Sequence, residues 1–150
     1  MAKTRCWLGV VALAFAVASP ALGQEPSAAG RIKVVSGSAF IVRAGDLIPA
    51  QAGQMVFETD GLRTGADGRV GVTLKDDTRV SLGPASEVRL DRYTYAPGEG
   101  RLAFAMKVLR GVVAYVSGQI AKLSPDAVRL ETPAAIVGVR GTSLAVRVEP

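Results

Sequence analysis

Carboxylates are the first residues in this chain that could do chemistry. Asp76 and Asp77 are adjacent, and paired carboxylates can divide acid and base roles between them. Neighbours on a strand point to opposite faces, however. Lys75-Asp76-Asp77-Thr78 lies between two alternating runs, so the pair reads as a hairpin turn, where Asp tolerates a positive φ. Glu58, Asp60 and Asp67 carry oxygens suited to calcium, but they lack the ligand density of a calcium loop, and no metal is expected. Tyr93 and Tyr95 stand two apart and share one face. They offer either a small binding platform or a rim of cross-strand partners around a core. The chain has no histidine, which removes the usual general base and every Ser-His-Asp or Cys-His arrangement. No serine stands in a nucleophile-elbow context. The residues point to a non-enzymatic protein with no cofactor.

One further stretch stands out, "TPAAIVGVRGT" from Thr132 to Thr142. Pro133 suits a strand entrance, where a missing N–H does little harm. Ala134-Ala135-Ile136-Val137 has little polarity on either face and is expected to be buried on both sides. Gly138 and Gly141 permit bends or a close backbone approach. Arg140 between them would be thrown outward, where its guanidinium can reach a carboxylate or backbone carbonyls as a structural pin. Thr142 then restarts a strand. In that strand Leu144, Val146 and Val148 share one face, with Arg147 and Glu149 on the other. An edge position for this last strand would leave its backbone groups open to a partner strand, whereas pairing with an earlier strand such as Ile32 to Val42 would close it.

The elements that must position these residues are strands. Val70, Val72 and Leu74 alternate with Arg69, Gly71, Thr73 and Lys75; Val80 and Leu82 alternate with Arg79 and Ser81. Val88 and Leu90, then Leu102, Phe104, Met106 and Val108, then Val128 and Leu130 continue the period of two. Turn signals fall between them at Ala44-Gly45-Asp46, Gly65 to Gly68, Gly83-Pro84, Pro97 to Gly100 and Ser124-Pro125-Asp126. Many short strands with closely spaced turns indicate an all-β antiparallel sandwich or barrel. Outside the leader, no long window favours an amphipathic helix. Ile32 to Val42 also echoes Met106 to Val116: both read apolar-Lys-Val-apolar-x-Gly and then an apolar strand. A shared glycine kink that bends a strand around a sandwich edge accounts for the echo.

The first 23 residues read as a cleavable signal peptide. Lys3 and Arg5 precede the apolar run Trp7 to Ala18, which is too short to span a bilayer; Pro20 and Ala21-Leu22-Gly23 follow, placing the cut before Gln24. An uncleaved anchor is the alternative. Residues 24–30 are a small, polar lead-in, and 31–150 form the domain. The single cysteine, Cys6, lies in the leader, so the mature chain has no thiol chemistry and no disulfide. Removing Lys3 and Arg5 takes Lys plus Arg from 18 to 16 against 13 acids, a net charge of +3. So small a balance leaves no nucleic-acid footprint. Aromatics at 5% are too few for the two girdles of an outer-membrane barrel.

The chain resembles the FecR-domain family from Gly30 to about Val148. The matching pieces are "VSGSAFIVRAG", "GQMVFETDGLRTGADGRVGVTLKDDTRVSLGPASEVRL", "LRGVVAYVSG" and "ETPAAIVGVRGTSLAV", in the family's order. The last is the most specific, with Thr132-Pro133, a small apolar run, then Gly138-Val139-Arg140-Gly141-Thr142. Asp77 departs from the pattern, where members usually carry glycine. The resemblance implies a jelly-roll-like periplasmic domain. In the best-known members this domain contacts an outer-membrane transducer, while a cytoplasmic anti-sigma segment relays the signal through a membrane helix. Neither that segment nor a separate span is evident here, so the resemblance implies a stand-alone secreted module with a protein partner in the envelope or a second copy of itself. A small-ligand- or glycan-binding jelly roll is the alternative. Tyr93, Tyr95, Leu144, Val146 and Arg147 are the interaction candidates; Thr132, Pro133, Gly138, Arg140, Gly141 and Thr142 are the structural motif.

Overall fold

The computed structural model describes residues 27–149. The expected signal peptide lies outside them. Twelve strands follow one another along the chain: β1 (Ala28–Ser36), β2 (Ala39–Arg43), β3 (Asp46–Pro49), β4 (Met55–Phe57), β5 (Gly61–Thr64), β6 (Arg69–Leu74), β7 (Arg79–Leu82), β8 (Glu87–Ala96), β9 (Arg101–Val116), β10 (Val128–Glu131), β11 (Ile136–Gly138) and β12 (Ser143–Val148). A five-residue helix, α1 (Gln119–Leu123), interrupts them between β9 and β10. The strands form a curled sheet folded on itself as a sandwich. The first layer runs β4-β1-β6-β7-β9-β12. The second runs β3-β2-β5-β8-β9-β10-β11.

Strand β9 belongs to both layers. Its first part pairs with β8 and β10, and the stretch from Gly111 onward pairs with β12 and β7. The change of layer falls at Gly111, whose φ of 87° is a left-handed value that a side chain strains to adopt. A Cβ there would also overlap Ser86, so two requirements select glycine at one residue. The sequence echo identifies the counterpart. Gly37, with φ of 64°, lies where the chain leaves β1 in the first layer for β2 in the second. Both halves of the echo are therefore strand-glycine-strand crossings between layers, as the shared kink requires.

Alternation places the core between the layers. Ile32, Ile41, Phe104, Val108, Tyr115, Ile120 and Leu130 are each at most 2% exposed. The Phe104 ring lies 5.6 Å from Tyr115 and meets Tyr93 edge-on at 6.4 Å.

Four expectations change. Strand β1 begins at Ala28, inside the stretch assigned to the lead-in, because Ala29 and Gly30 are buried and Gly30 pairs with both Leu74 and Val56. Strand β10 runs parallel to β9, through a connection that holds α1, as a parallel crossover demands. Ala134, Ala135 and Ile136 are exposed rather than buried on both sides, and Ile136 is 67% exposed. Thr132 and Ala135 close a tight turn between β10 and β11, with Thr132 N–H donating to Ala135 O at 2.8 Å and Ala135 N–H donating to Thr132 Oγ1 at 3.1 Å. Pro133 thus sits in a turn and not at a strand entrance.

Candidate functional site

The Thr132 to Thr142 stretch is another crossing between layers that bends at a glycine. It leaves β11 in the second sheet and enters β12 in the first. Gly141 has φ of 136°, within the region that favours glycine, whereas Gly138 has no positive φ. The corner is anchored by Val139, 5% exposed and part of the core. Arg140 beside it is exposed and makes no hydrogen bond or ion pair among the described residues. The expected arginine pin is therefore corrected: a buried valine and two hydrogen bonds from Ser117 hold the corner. Ser117 Oγ donates to Gly141 O at 2.6 Å, and Ser117 N–H donates to Thr142 O at 2.8 Å.

Those contacts feed directly into β12. It pairs with β9 from Ser143↔Val116 to Val148↔Gly111 and, among the described residues, with no other strand. Leu144 and Val148 pack on the core, Val146 is half-buried, and Ser143, Ala145 and Arg147 face outward. The bond from Ser117 to Thr142 sets the ladder phase. Bonds to β9 then fall at Leu144 and Val146, and the N–H groups of Ser143, Ala145 and Arg147 point to the open side. The arrangement is an edge strand with unpaired donors and acceptors, the template for strand addition.

Tyr93 and Tyr95 do not join this edge. They stand on β8 opposite Phe104 and Leu102, in the other layer, and both pack against the core. The Tyr93 hydroxyl is committed inward. It donates to Asp76 Oδ1 at 2.9 Å and accepts the Asp76 N–H at 3.0 Å. Burial, followed by the Asp76 charge, pushes the Tyr93 phenol well above its ordinary value. A binding platform at Tyr93 is thus replaced by a structural contact.

Asp76 is the residue whose role the sequence hid. Its side of the β6–β7 turn is fully buried, while Asp77 is exposed with φ of 67°. The Asp76 carboxylate accepts from Thr78 Oγ1 at 2.6 Å, Tyr93 Oη, Ile120 N at 3.2 Å and Thr78 N at 3.3 Å. Its carbonyl accepts from Gln119 N at 2.7 Å. One turn residue thereby fastens β8 and the start of α1, and so fixes the connection from which β10, β11 and the corner follow. Glu58, Asp60 and Asp67 go to separate partners: the Tyr93 N–H, a bidentate Arg43 with the Phe57 N–H, and the Ser38 N–H. Among the described residues no group of three or more Asp, Glu, His or Cys could hold a metal ion.

The largely apolar cavity lined by Val56, Asp60, Leu62, Phe104 and neighbours holds about 20 Å³, room for roughly one water. No helix among the described residues is long and apolar enough to cross a membrane. The sequence pattern of a family described as FecR protein matches residues 60–150. No curated protein and no solved structure matches the chain.

Proposed function

Because the chain belongs to the FecR family of envelope-associated signalling domains, we propose that it is a non-enzymatic periplasmic module for protein interaction that docks by strand addition along β12. The open side of β12 is the observation that carries this reading. Alternating side chains suit it: Leu144 and Val148 hold the strand to the core, while Arg147 on the outer face discourages indiscriminate pairing. The ligand-binding alternative finds no room inside the sandwich, where the cavity is far smaller than the roughly 300 Å³ a drug-sized ligand needs; the clefts of that size among the described residues are open grooves at the surface, such as the one of about 490 Å³ along Asp91, Arg92, Arg129 and Glu131.

Site-specific photo-crosslinking in the envelope tests the proposal. A crosslinker at Arg147 gives a discrete protein adduct in the periplasmic fraction, and one at Glu99 in the β8–β9 turn does not. Ala145→Pro removes an outward N–H without touching the ladder to β9, so it abolishes the adduct while the protein stays folded. Equal adducts from both positions, or an Arg147 adduct indifferent to Ala145→Pro, would refute docking at β12.

A further inference from the structure

The two layers of the sandwich differ in where their carboxylates stand. The strands of the first layer, with β9 counted from Gly111, contain no aspartate or glutamate. They do carry Arg31, Lys33, Arg69, Arg79 and Arg147, all exposed, and none of the five forms an ion pair among the described residues. The second layer is different. Asp46, Glu87, Asp91 and Glu131 stand on its strands. Of its cations, Arg43 pairs with Asp60, Arg63 and Arg110 with Glu87, Arg89 with Asp91 and Arg101 with Glu99, while Arg92, Lys107 and Arg129 form no ion pair among the described residues. Both layers are basic; what sets the first apart is that no carboxylate stands among the cations on its strands.

Register shows how that face is laid out. Gly71, Ser81, Ala114 and Ala145 stand directly across from one another on β6, β7, β9 and β12. In the row on one side of them, Arg79 faces Val116. In the row on the other, Arg147 faces Val112, and Arg69 stands two residues before Gly71. Val34, paired with Gly71, is 61% exposed, and Val116 and Val112 are 39% and 36% exposed. The centre is low and apolar and the cations ring it. Like charges left this close and unpaired lower stability slightly, a cost recovered when carboxylates arrive.

We propose that this outer face of the first sheet docks an acidic polypeptide. Carboxylates of the partner meet Arg31, Arg69, Arg79 and Arg147, and its apolar side chains lie over Val34, Val112 and Val116. Charge complementarity selects an anionic occupant, and the rest of the face selects a polypeptide among anions. No aromatic side chain is exposed there to stack on a sugar ring. Its exposed apolar side chains, Val34, Val112, Val116 and, at the β4 edge, Met55, include none of the tryptophan, phenylalanine or leucine groups that enter a lipid surface. The proposal rests on the reading of the chain as a protein-binding module, but not on the open edge of β12.

Titration of the isotope-labelled protein with poly-L-glutamate, followed by amide chemical shifts at low salt, tests it. The expected result is perturbation at Gly71, Ser81, Ala114 and Ala145. Arg79→Glu with Arg147→Glu weakens binding by about tenfold or more, and Arg92→Glu with Arg129→Glu, the same charge change on the second layer, by no more than about twofold. Equal weakening by the two pairs would mean diffuse attraction and overturn the proposal. So would phosphatidylglycerol vesicles that shift the same amides when poly-L-glutamate does not. Shifts confined to the open-side amides of β12 would remove the face as a docking site while leaving the strand-addition reading in place.

Discussion

The Asp76 carboxylate is buried without a cation beside it, and hydrogen bonds alone hold it. Asp76→Ala would strand the Tyr93 and Thr78 hydroxyls and the Ile120 N–H together. The expected loss is at least about 3 kcal/mol, measured as a lowered denaturant midpoint, because each buried unmade bond costs roughly 1–3 kcal/mol. The phenols give a pH signature. Burial raises both Tyr93 and Tyr115 above the ordinary 10.0. The folded chain then keeps protons that the unfolded chain sheds, so this contribution to stability is complete below about pH 10 and is lost as pH climbs through the folded values. Thermal midpoints level up to about pH 9.5 and falling beyond about pH 10, with a shallower fall in Tyr93→Phe, are the expected outcome. The turn at Asp76-Asp77 was legible in the sequence, and so was the left-handed residue within it, Asp77. The burial of Asp76 was not legible. Its partners Tyr93 and Ile120 are 17 and 44 residues away, and no local pattern reports such a meeting.

At the scale of elements, alternation located the strands well because each has one wet face and one dry face. It failed for Ala134 to Val137, where every residue is apolar and no polar partner marks the outer side. Two of those alanines lie in a turn, and Ile136 points outward from an edge strand. Helix α1 escaped because five residues carry too little periodicity to register. A glycine bend does join two strands there, at Gly141 and not at Gly138, but the anchor escaped, since Val139 looked like filler between two glycines. Substitution separates these roles. Gly141→Val is expected to cost more than about 1 kcal/mol, because a β-branched residue avoids its φ. Gly138→Val costs less, having ordinary φ and open space around it. Arg140→Ala stays within about 0.5 kcal/mol, as exposed unpaired residues do, and Val139→Ala costs roughly 1–3 kcal/mol from lost burial. Denaturant midpoints for the four variants check the order.

For the molecule as a whole, the family match begins at residue 60, yet the fold does not. Strand β1 lies between β6 and β4, β2 pairs with β5, and together they bring Ile32 and Ile41 into the core. A chain cut to residues 60–150 is expected to show no cooperative thermal transition by circular dichroism, since it opens two ladders and empties part of the interior. That the strands of the first sheet hold cations and no carboxylate was hidden in the composition, which counts residues without their place. The sharing of β9 has one more consequence. Phe104 to Lys107 lie between β8 and β10, and Val113 to Val116 lie between β7 and β12. Neither layer can open alone without tearing at the strand that closes the other, so β9 amides exchange with solvent only when the entire molecule opens. A partner captured at β12 therefore slows exchange at Phe104 to Lys107 in the opposite layer, and hydrogen–deuterium exchange would register occupancy of the edge as a loss of global opening rather than as a local shadow.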